Sequence, residues 1–475
     1  MKRRVHKLAQ LDQQYVWHPF TQMRDWAKEE PIVLTHAQGS VLRDAHGREY
    51  LDANSSIWTN LHGHNHPVIN RALEKQLKKI AHSSALGFAN EPASLLAEKL
   101  LSIAKVRRGA KGNPKLGKVF FSDNGSTALE VALKLSYEST RRTRPGIRPR
   151  YLGIEGAYHG DTIGAVSVGH IDLFHKAYSG LLFKSEKVMA PYCYRCPFNK
   201  AKPERADARD YRQCNFECVD KVESAFAQAK KRGTPITGFV YEPLMQGAAG
   251  FVPQPKGWLS RAAEIARGHE AQLIADEVMT GFGRCNEKAD QLFASHQEGV
   301  QPDFLCLAKG LTGGYLPMAA TLTTQKVFDA FLGEYEDFKS FFHGHSFTGN
   351  QMGASASLAS LDLLARAKTQ QARTTLRQTL NTERASLWTS PHVGDVRQTG
   401  NVLAIELVRE WKTRTPFQLE EKAGIRVCRA LTKRGVITRP VGNVIVLMPP
   451  YCTTRTQART MVTALRESIE EVLGA

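Results

Sequence analysis

From about Leu95 onward, apolar residues follow two alternating rhythms. In Glu91-Pro-Ala-Ser-Leu-Leu-Ala-Glu-Lys-Leu-Leu101 the pairs Leu95/Leu96 and Leu100/Leu101 fall on one helical face. Lys118-Val-Phe-Phe-Ser122 reads as a strand, and 127–139 as a helix with apolar spacing. Further strands are expected at 151–154, 238–242, 272–277, 304–307 and 318–322, with helical stretches such as 258–266 between them. That alternation predicts an α/β fold whose large domain has a mainly parallel sheet covered by helices. Ligands then belong at the carboxyl ends of the strands.

The rhythm changes after about Thr348. A long helix is expected over 351–367, then a strand at 402–408, a helix at 423–433, strands at 436–439 and 444–448, and a last helix at 456–473. These make a smaller α+β domain. The first ~70 residues lack regular periodicity and are rich in His, Trp, Asn and Gly. The expected division is an N-terminal segment 1–70 that contributes to the small domain, a large domain 71–345, and a C-terminal small α+β domain 346–475.

Composition narrows the class. With 42% apolar and 23% charged residues over 475 positions, the chain is neither disordered nor a small disulfide scaffold. A net charge of +18 raises nucleic acid, anionic membranes or acidic small molecules as partners. The basic clusters, 141–150 and Lys230-Lys-Arg232, are scattered and lack interleaved aromatics, and no DNA-binding module is present, so they read as solvated faces. The longest apolar run, Val444-Ile-Val-Leu-Met448, falls far short of the ~20 residues that span a bilayer. The basic start, Met1 to Lys7, is followed by Leu11-Asp-Gln-Gln-Tyr15 where a signal peptide needs an apolar stretch. A cytoplasmic protein without a cleaved signal is expected.

Four of the eight cysteines bunch as Cys193-x2-Cys196 and Cys214-x3-Cys218, within a Pro-, Arg- and Asp-rich insertion at 191–220. The spacing suits either two pairs of metal or redox ligands or four ordinary reduced thiols.

Three motifs carry candidate chemistry. In Ser122-Asp-Asn-Gly-Ser-Thr-Ala-Leu-Glu130, a strand gives way to a helix, and Thr127 and Glu130 have capping-box spacing, which places the helix start near Ser126–Thr127. A free helix amino end behind a glycine suits a phosphate, although plain capping explains the same residues. In Leu273-Ile-Ala-Asp-Glu-Val-Met-Thr-Gly281 two carboxylates end an apolar strand, so one of them should meet a cation or a protonated nitrogen. In Phe304-Leu-Cys-Leu-Ala-Lys-Gly-Leu-Thr-Gly-Gly314, Lys309 ends a buried-looking strand, where desolvation favours the neutral, nucleophilic amine. Together, a phosphate cradle, a strand-end acid and a strand-end lysine at one sheet edge match the three handles of pyridoxal 5′-phosphate: phosphate, ring nitrogen and aldehyde. No metal is called for.

Further segments carry a resemblance. Trp17-His-Pro-Phe-Thr-Gln-Met23, Ser55-Ser-Ile-Trp58, His62-Gly-His-Asn-His-Pro67, Ala157-Tyr-His-Gly-Asp-Thr-Ile-Gly-Ala-Val-Ser-Val168, Asp276-Glu-Val-Met-Thr-Gly-Phe-Gly-Arg284, Ala308-Lys-Gly-Leu-Thr-Gly-Gly314 and His343-Gly-His-Ser-Phe-Thr-Gly-Asn350 resemble the class III aminotransferases of PLP-dependent transferase fold type I. The opening Trp-His-Pro-Phe-Thr-Gln-Met, with Arg439-Pro-Val-Gly442 and Leu447-Met-Pro-Pro450, is most similar to the branch that works in biotin synthesis.

That resemblance implies a homodimer with shared active sites. It implies Lys309 as Schiff-base lysine and proton carrier, Asp276 as partner of the ring nitrogen, and Val278 packed under the ring. Gly125 and Ser126 would hold the phosphate, joined by His345 and Ser346 from a neighbouring subunit. Tyr158 would lie against cofactor and substrate, Arg439 would anchor a carboxylate, and Gly344, Ile57 and Trp58 would line the substrate channel. His159 is equally a structural partner or a proton shuttle. The implied acceptor is 8-amino-7-oxononanoate and the favoured donor S-adenosylmethionine. Phe20, where better-known members carry Tyr, and Ile57, where they carry Trp, leave L-lysine open as an alternative donor, and other ω-amino acids or diamines share every cofactor motif.

Overall fold

A seven-stranded sheet runs in the order Leu116–Ser122, Ala319–Thr324, Phe304–Leu307, Gln272–Asp276, Gly238–Tyr241, Tyr151–Ile154, Glu186–Val188. Its source is a computed structural model that describes residues 6–106 and 113–474, so most of the basic start considered above lies outside the described residues. Ala319–Thr324 is antiparallel to both neighbours and every other pairing is parallel. The mainly parallel sheet read from the apolar runs is therefore present, with one reversed strand.

These strands form because both of their faces are buried, which is what near-continuous apolar runs require. Along the central strand, Ile274 packs in one core with Val240, Phe304, Cys306 and the apolar face of helix Gly125–Thr143. Leu273 and Ala275 point the other way, into a core shared with Phe239, Leu305, Leu307 and helices Glu217–Lys231 and Trp258–Gly268. The alternation of period two along each strand thus fixes which helix covers which face.

The C-terminal region holds an antiparallel sheet in the order Val393–Thr399, Val402–Glu410, Val444–Leu447, Pro440–Val441. Helices Ala423–Lys433 and Arg455–Leu473 pack on each other beside it. The expected helix 351–367 is two helices, Gln351–Ala365 and Ala367–Glu383, broken where Arg366 turns to ψ 136°. The first 70 residues, poor in periodicity, nevertheless contain an antiparallel meander, Leu34–Gln38, Val41–Asp44 and Glu49–Asp52. Strand Val436–Ile437 adds to it in parallel, with Val436 opposite Leu51, so the strand expected at 436–439 stops short and joins the N-terminal meander, not the C-terminal sheet.

Arginines tie the cysteine-bearing insertion to the C-terminal sheet. Arg195 Nε donates to Glu406 at 2.6 Å, Arg205 Nη1 to the Val393 carbonyl at 2.6 Å, and Arg209 Nη2 to the Gln398 carbonyl at 2.6 Å. All eight cysteines are free. Among the described residues, no group of three or more His, Cys, Asp or Glu is arranged to hold a metal ion, and no helix is long and apolar enough to cross a membrane.

Candidate active site

Three neighbouring strand ends and one helix start converge on a cavity of about 750 Å³. Asp276 ends its strand beside Cys306, and Lys309 follows three residues beyond Cys306. Glu242 follows Gly238–Tyr241 on the other side of the central strand. Because the reversed strand Ala319–Thr324 separates Leu116–Ser122 from the rest, Leu116–Ser122 again points its carboxyl end to the same edge, and helix Gly125–Thr143 opens there. All four elements contribute cavity-lining residues.

The helix begins two residues earlier than its apparent capping box suggests. Asn124 is the N-cap: its side chain accepts from Thr127 N at 3.1 Å, and Thr127 Oγ1 accepts from Asn124 N at 3.1 Å. Glu130, expected to close a box with Thr127, instead accepts from the amides of Gly164 and Ala165 at 2.8 and 3.2 Å. Two glycines allow close packing around the helix start. A Cβ on Gly125 would lie 2.7 Å from Val278 Cγ1, and one on Gly160, at φ +107°, would lie 1.7 Å from Ser126 Oγ. Ser126 Oγ itself accepts from Asp161 N at 3.1 Å, pinning the Tyr158–Thr162 loop to the helix.

Asp276 is buried and takes a hydrogen bond from His159 Nδ1 at 2.7 Å and one from Val278 N at 3.0 Å. Its neighbour Glu277 points away and accepts from the amides of Ala294 and Ser295 at 2.5 and 2.8 Å. Of the two strand-end carboxylates, Asp276 alone faces the cavity. Burial pushes the Glu242 carboxyl up to about 7, with Asp276 adding to the rise. Burial likewise lowers the Lys309 ammonium to about 8, against the opposing pull of Asp276 and Glu242. Lys309 Nζ sits 4.5 Å from the centre of the Trp58 ring, and its backbone is held at φ 41°, a strained value for a lysine.

Trp58 is fixed from behind. Its Nε1 donates to Asn54 Oδ1 at 2.9 Å and its ring meets Phe251 edge-on at 5.0 Å. The turn that carries it has positive φ at Ser55, Ser56 and Trp58, and Asp52 stabilises that turn by accepting from the amides of Asn54 and Ser56. Tyr158, which also lines the cavity, donates its hydroxyl to Asp161 Oδ2 at 2.7 Å. Burial and then that carboxylate raise the phenol's pKa, so it stays protonated.

The sequence model of the family described as aminotransferase class-III matches residues 23–469. The chain belongs to the class III aminotransferases. It is 46% identical over 468 residues to the adenosylmethionine-8-amino-7-oxononanoate aminotransferase of Nitratidesulfovibrio vulgaris, covering 98% of this chain and 82% of the relative. It is 44% identical to the Geobacter sulfurreducens protein of the same name, with 98% of each chain covered. The crystal structure of the Methanocaldococcus jannaschii protein of that name superposes with a TM-score of 0.87 at 36% identity, covering 98% and 99% of the two chains. A PLP-bound amine transaminase from an uncultivated Pseudomonas species superposes at 0.85 with 30% identity, covering 96% and 99%.

Pyridoxal 5′-phosphate, the cofactor of this family, fits the residues present. The helix start at Gly125 and Ser126 lines the cavity, and a helix amino end suits a phosphate. Asp276 offers a buried, oriented carboxylate, and Lys309 a desolvated amine. Gly125, Ser126, Tyr158, Asp276, Val278, Lys309 and Trp58 all line the cavity. Ile57, Gly344, His345, Ser346 and Arg439 are not among the residues that line it within one chain. His345 Nδ1 does come within 3.3 Å of Asp123, a lining residue. Phe20 packs against Phe174 and is not among the lining residues.

Of two further groups at the cavity, the sequence reading left the role of one, His159, open and missed the other, Glu242. His159 is the buried partner of Asp276, with its other nitrogen, Nε2, left without a hydrogen bond. Glu242 stands at the end of an apolar strand, as Asp276 does, and that position was the signal that could have found it.

Proposed function

We propose that the chain transfers an amino group from S-adenosylmethionine to 8-amino-7-oxononanoate, giving 7,8-diaminononanoate in biotin synthesis, with pyridoxal 5′-phosphate as cofactor. The observation that carries this reading is near full-length similarity, up to 46% identity, to relatives bearing that activity in their name. The lysine, acid and helix-start constellation is what such a reaction needs.

Bound in the cavity, the cofactor supplies an aldehyde that carries the amino group and a ring that accepts electrons. The chain's own residues do the rest. With its pKa near 8, Lys309 has both amine and ammonium forms accessible near neutral pH, so it can take a proton from the donor's carbon and return it two atoms along, on the far side of the nitrogen. Asp276, held by His159 and Val278 N, presents a fixed negative charge that keeps a ring nitrogen protonated. The Trp58 face over Lys309 Nζ excludes water from the amine and stabilises its charged form. Arg439, exposed between strands Val436–Ile437 and Pro440–Val441, is the proposed anchor for the acceptor's single carboxylate, and Ile57 and Gly344 belong to the proposed substrate channel.

The proposed working form is a homodimer. Leu86 and Phe88, and Phe342 and Phe347, are large apolar side chains left exposed in two segments that meet where His82 Nε2 lies 2.8 Å from the Ser346 carbonyl oxygen. Gly344 and Ser346 lie in the second segment and outside their own chain's cavity, which supports their serving the cavity of the partner; His345 beside them also reaches Asp123 of its own chain. The donor is tested by mixing holoenzyme with S-adenosylmethionine or with L-lysine and following the visible spectrum of the cofactor. Conversion to the amine-carrying form with S-adenosylmethionine is expected; conversion with L-lysine alone assigns the other donor.

A further inference from the structure

We propose that His175 is a positioning residue of this site, acting through Asp161 to hold the Tyr158 hydroxyl as a hydrogen-bond acceptor toward the cavity. The proposal rests on reading the cavity as an amino-transfer site.

His175 is 3% exposed and is not a lining residue, so it reaches the chemistry only through another group. Its Nδ1 accepts from the Ile171 backbone amide at 3.0 Å. A backbone N–H only donates, so Nδ1 carries no proton and the single proton of the neutral ring sits on Nε2. Nε2 lies 3.4 Å from Asp161 Oδ1, at the long end of hydrogen-bond range, and a carboxylate oxygen there can only accept. The other oxygen, Oδ2, takes the Tyr158 hydroxyl proton at 2.7 Å.

The proton direction is therefore set along the whole relay. Both neighbours of Asp161 donate to it, and the one proton of Tyr158 is committed to that carboxylate. What the phenol offers a guest is its oxygen lone pairs and its ring. That suits the N–H of an incoming amine, which a hydroxyl turned the other way would meet proton to proton.

Burial alone does not orient Asp161, since its side chain is 53% exposed. It is held instead by three contacts: the Tyr158 hydroxyl, the His175 ring, and Ser126 Oγ on its own backbone amide at 3.1 Å. The His175 and Tyr158 rings lie parallel to within 7°, with centroids 6.0 Å apart, so imidazole and phenol back the same carboxylate from adjacent planes. Phe174 meets His175 edge-on and is itself met edge-on by Phe20 at 5.2 Å. Phe20 thus buttresses the segment that carries the relay.

Two side chains separate the halves of the His175 contact. In His175→Asn the amide oxygen can still accept from Ile171 N, but the side chain is too short to reach Asp161; in His175→Gln an amide N–H regains that reach. Holoenzymes are compared in the amine-donor half-reaction, followed by the cofactor spectrum, and apo forms in titration with pyridoxal 5′-phosphate. His175→Asn should slow the half-reaction about tenfold and raise the amine concentration that half-saturates it, while the cofactor Kd stays within about twofold. His175→Gln should return to within about threefold of wild type, and His175→Asn with Asp161→Asn should be no slower than Asp161→Asn alone. Should His175→Asn fail to fold, the Asp161→Asn and His175→Gln arms still read the relay. Wild-type rates in His175→Asn or Asp161→Asn, a Gln variant as slow as Asn, or losses that multiply in the double variant would overturn the proposal. A wild-type holoenzyme inert to every amine overturns the functional reading itself, and this proposal with it.

Discussion

His159 Nδ1 stands 2.7 Å from Asp276 Oδ2, and both side chains are buried. The carboxylate that lines the cavity is therefore oriented by a side chain from a different loop. Replacing His159 by Ala leaves a buried carboxylate short of one donor, which costs roughly 1–3 kcal/mol. Titration of the apo-protein with pyridoxal 5′-phosphate should show binding weakened roughly 5- to 100-fold. Unchanged affinity would mean that His159 does not orient Asp276.

Gly125 and Val278 make a second coupled pair. The Cβ of Gly125→Ala would meet Val278 Cγ1 at 2.7 Å, so one of them must shift, at about 1–3 kcal/mol. Cofactor affinity should fall accordingly, and Gly125→Ala with Val278→Ala should recover most of it. A double-mutant cycle with purely additive losses would contradict that steric reading.

The depressed pKa of Lys309, about 8, sets a pH dependence. On the proposed role of Lys309 its neutral amine is the form that would react with the cofactor aldehyde, so the rate of reconstitution from apo-protein should rise with pH and level off above a midpoint near 8. Glu242 raises the Lys309 pKa, so removing its charge in Glu242→Gln should move that midpoint to lower pH. Stopped-flow absorbance across a pH series reads both. A midpoint that stays put or rises in the variant would show that Glu242 does not act on the lysine.

Arg397 lies outside the cavity and is fully buried, with Nη1 on Asp395 at 3.0 Å and Glu406 at 2.7 Å and Nε on the Phe251 carbonyl at 2.8 Å. Removing one partner of such a cluster leaves uncompensated buried charge, so Arg397→Ala should lose about 3–5 kcal/mol of stability by denaturant unfolding. Because Phe251 packs on Trp58, cofactor binding should weaken as well.

The same network explains what the sequence hid. Val393-Gly-Asp-Val-Arg-Gln-Thr399 reads as too polar for an inner strand, yet all but Gln398 are buried, because Arg397 pairs with Asp395 on its own strand and with Glu406 across the sheet. Glu406 lies on another strand, and apolar periodicity does not reveal a pairing of charges. The meander strand Leu34–Gln38 was illegible for the opposite reason: it is largely exposed, so it has no apolar face to read. Tyr151–Ile154 and Phe304–Leu307, buried on both faces, were legible to the residue.

The site divides in the same way. Lys309 and Asp276 stood out because a charged residue ending a buried strand is costly without a purpose. The bond between His159 and Asp276 joins residues 117 positions apart and needed the fold. The capping box was misplaced by two spacings that fit equally well, Asn124 with Thr127 and Thr127 with Glu130; Glu130 is occupied by the amides of the Gly164 turn.

The most direct test of the amino-transfer account is product identification. Holoenzyme supplied with S-adenosylmethionine and 8-amino-7-oxononanoate should form 7,8-diaminononanoate over many turnovers, detected by mass spectrometry, and Lys309→Ala should form none. Failure of the wild-type protein to aminate 8-amino-7-oxononanoate with any donor, or sustained turnover by Lys309→Ala, would contradict it.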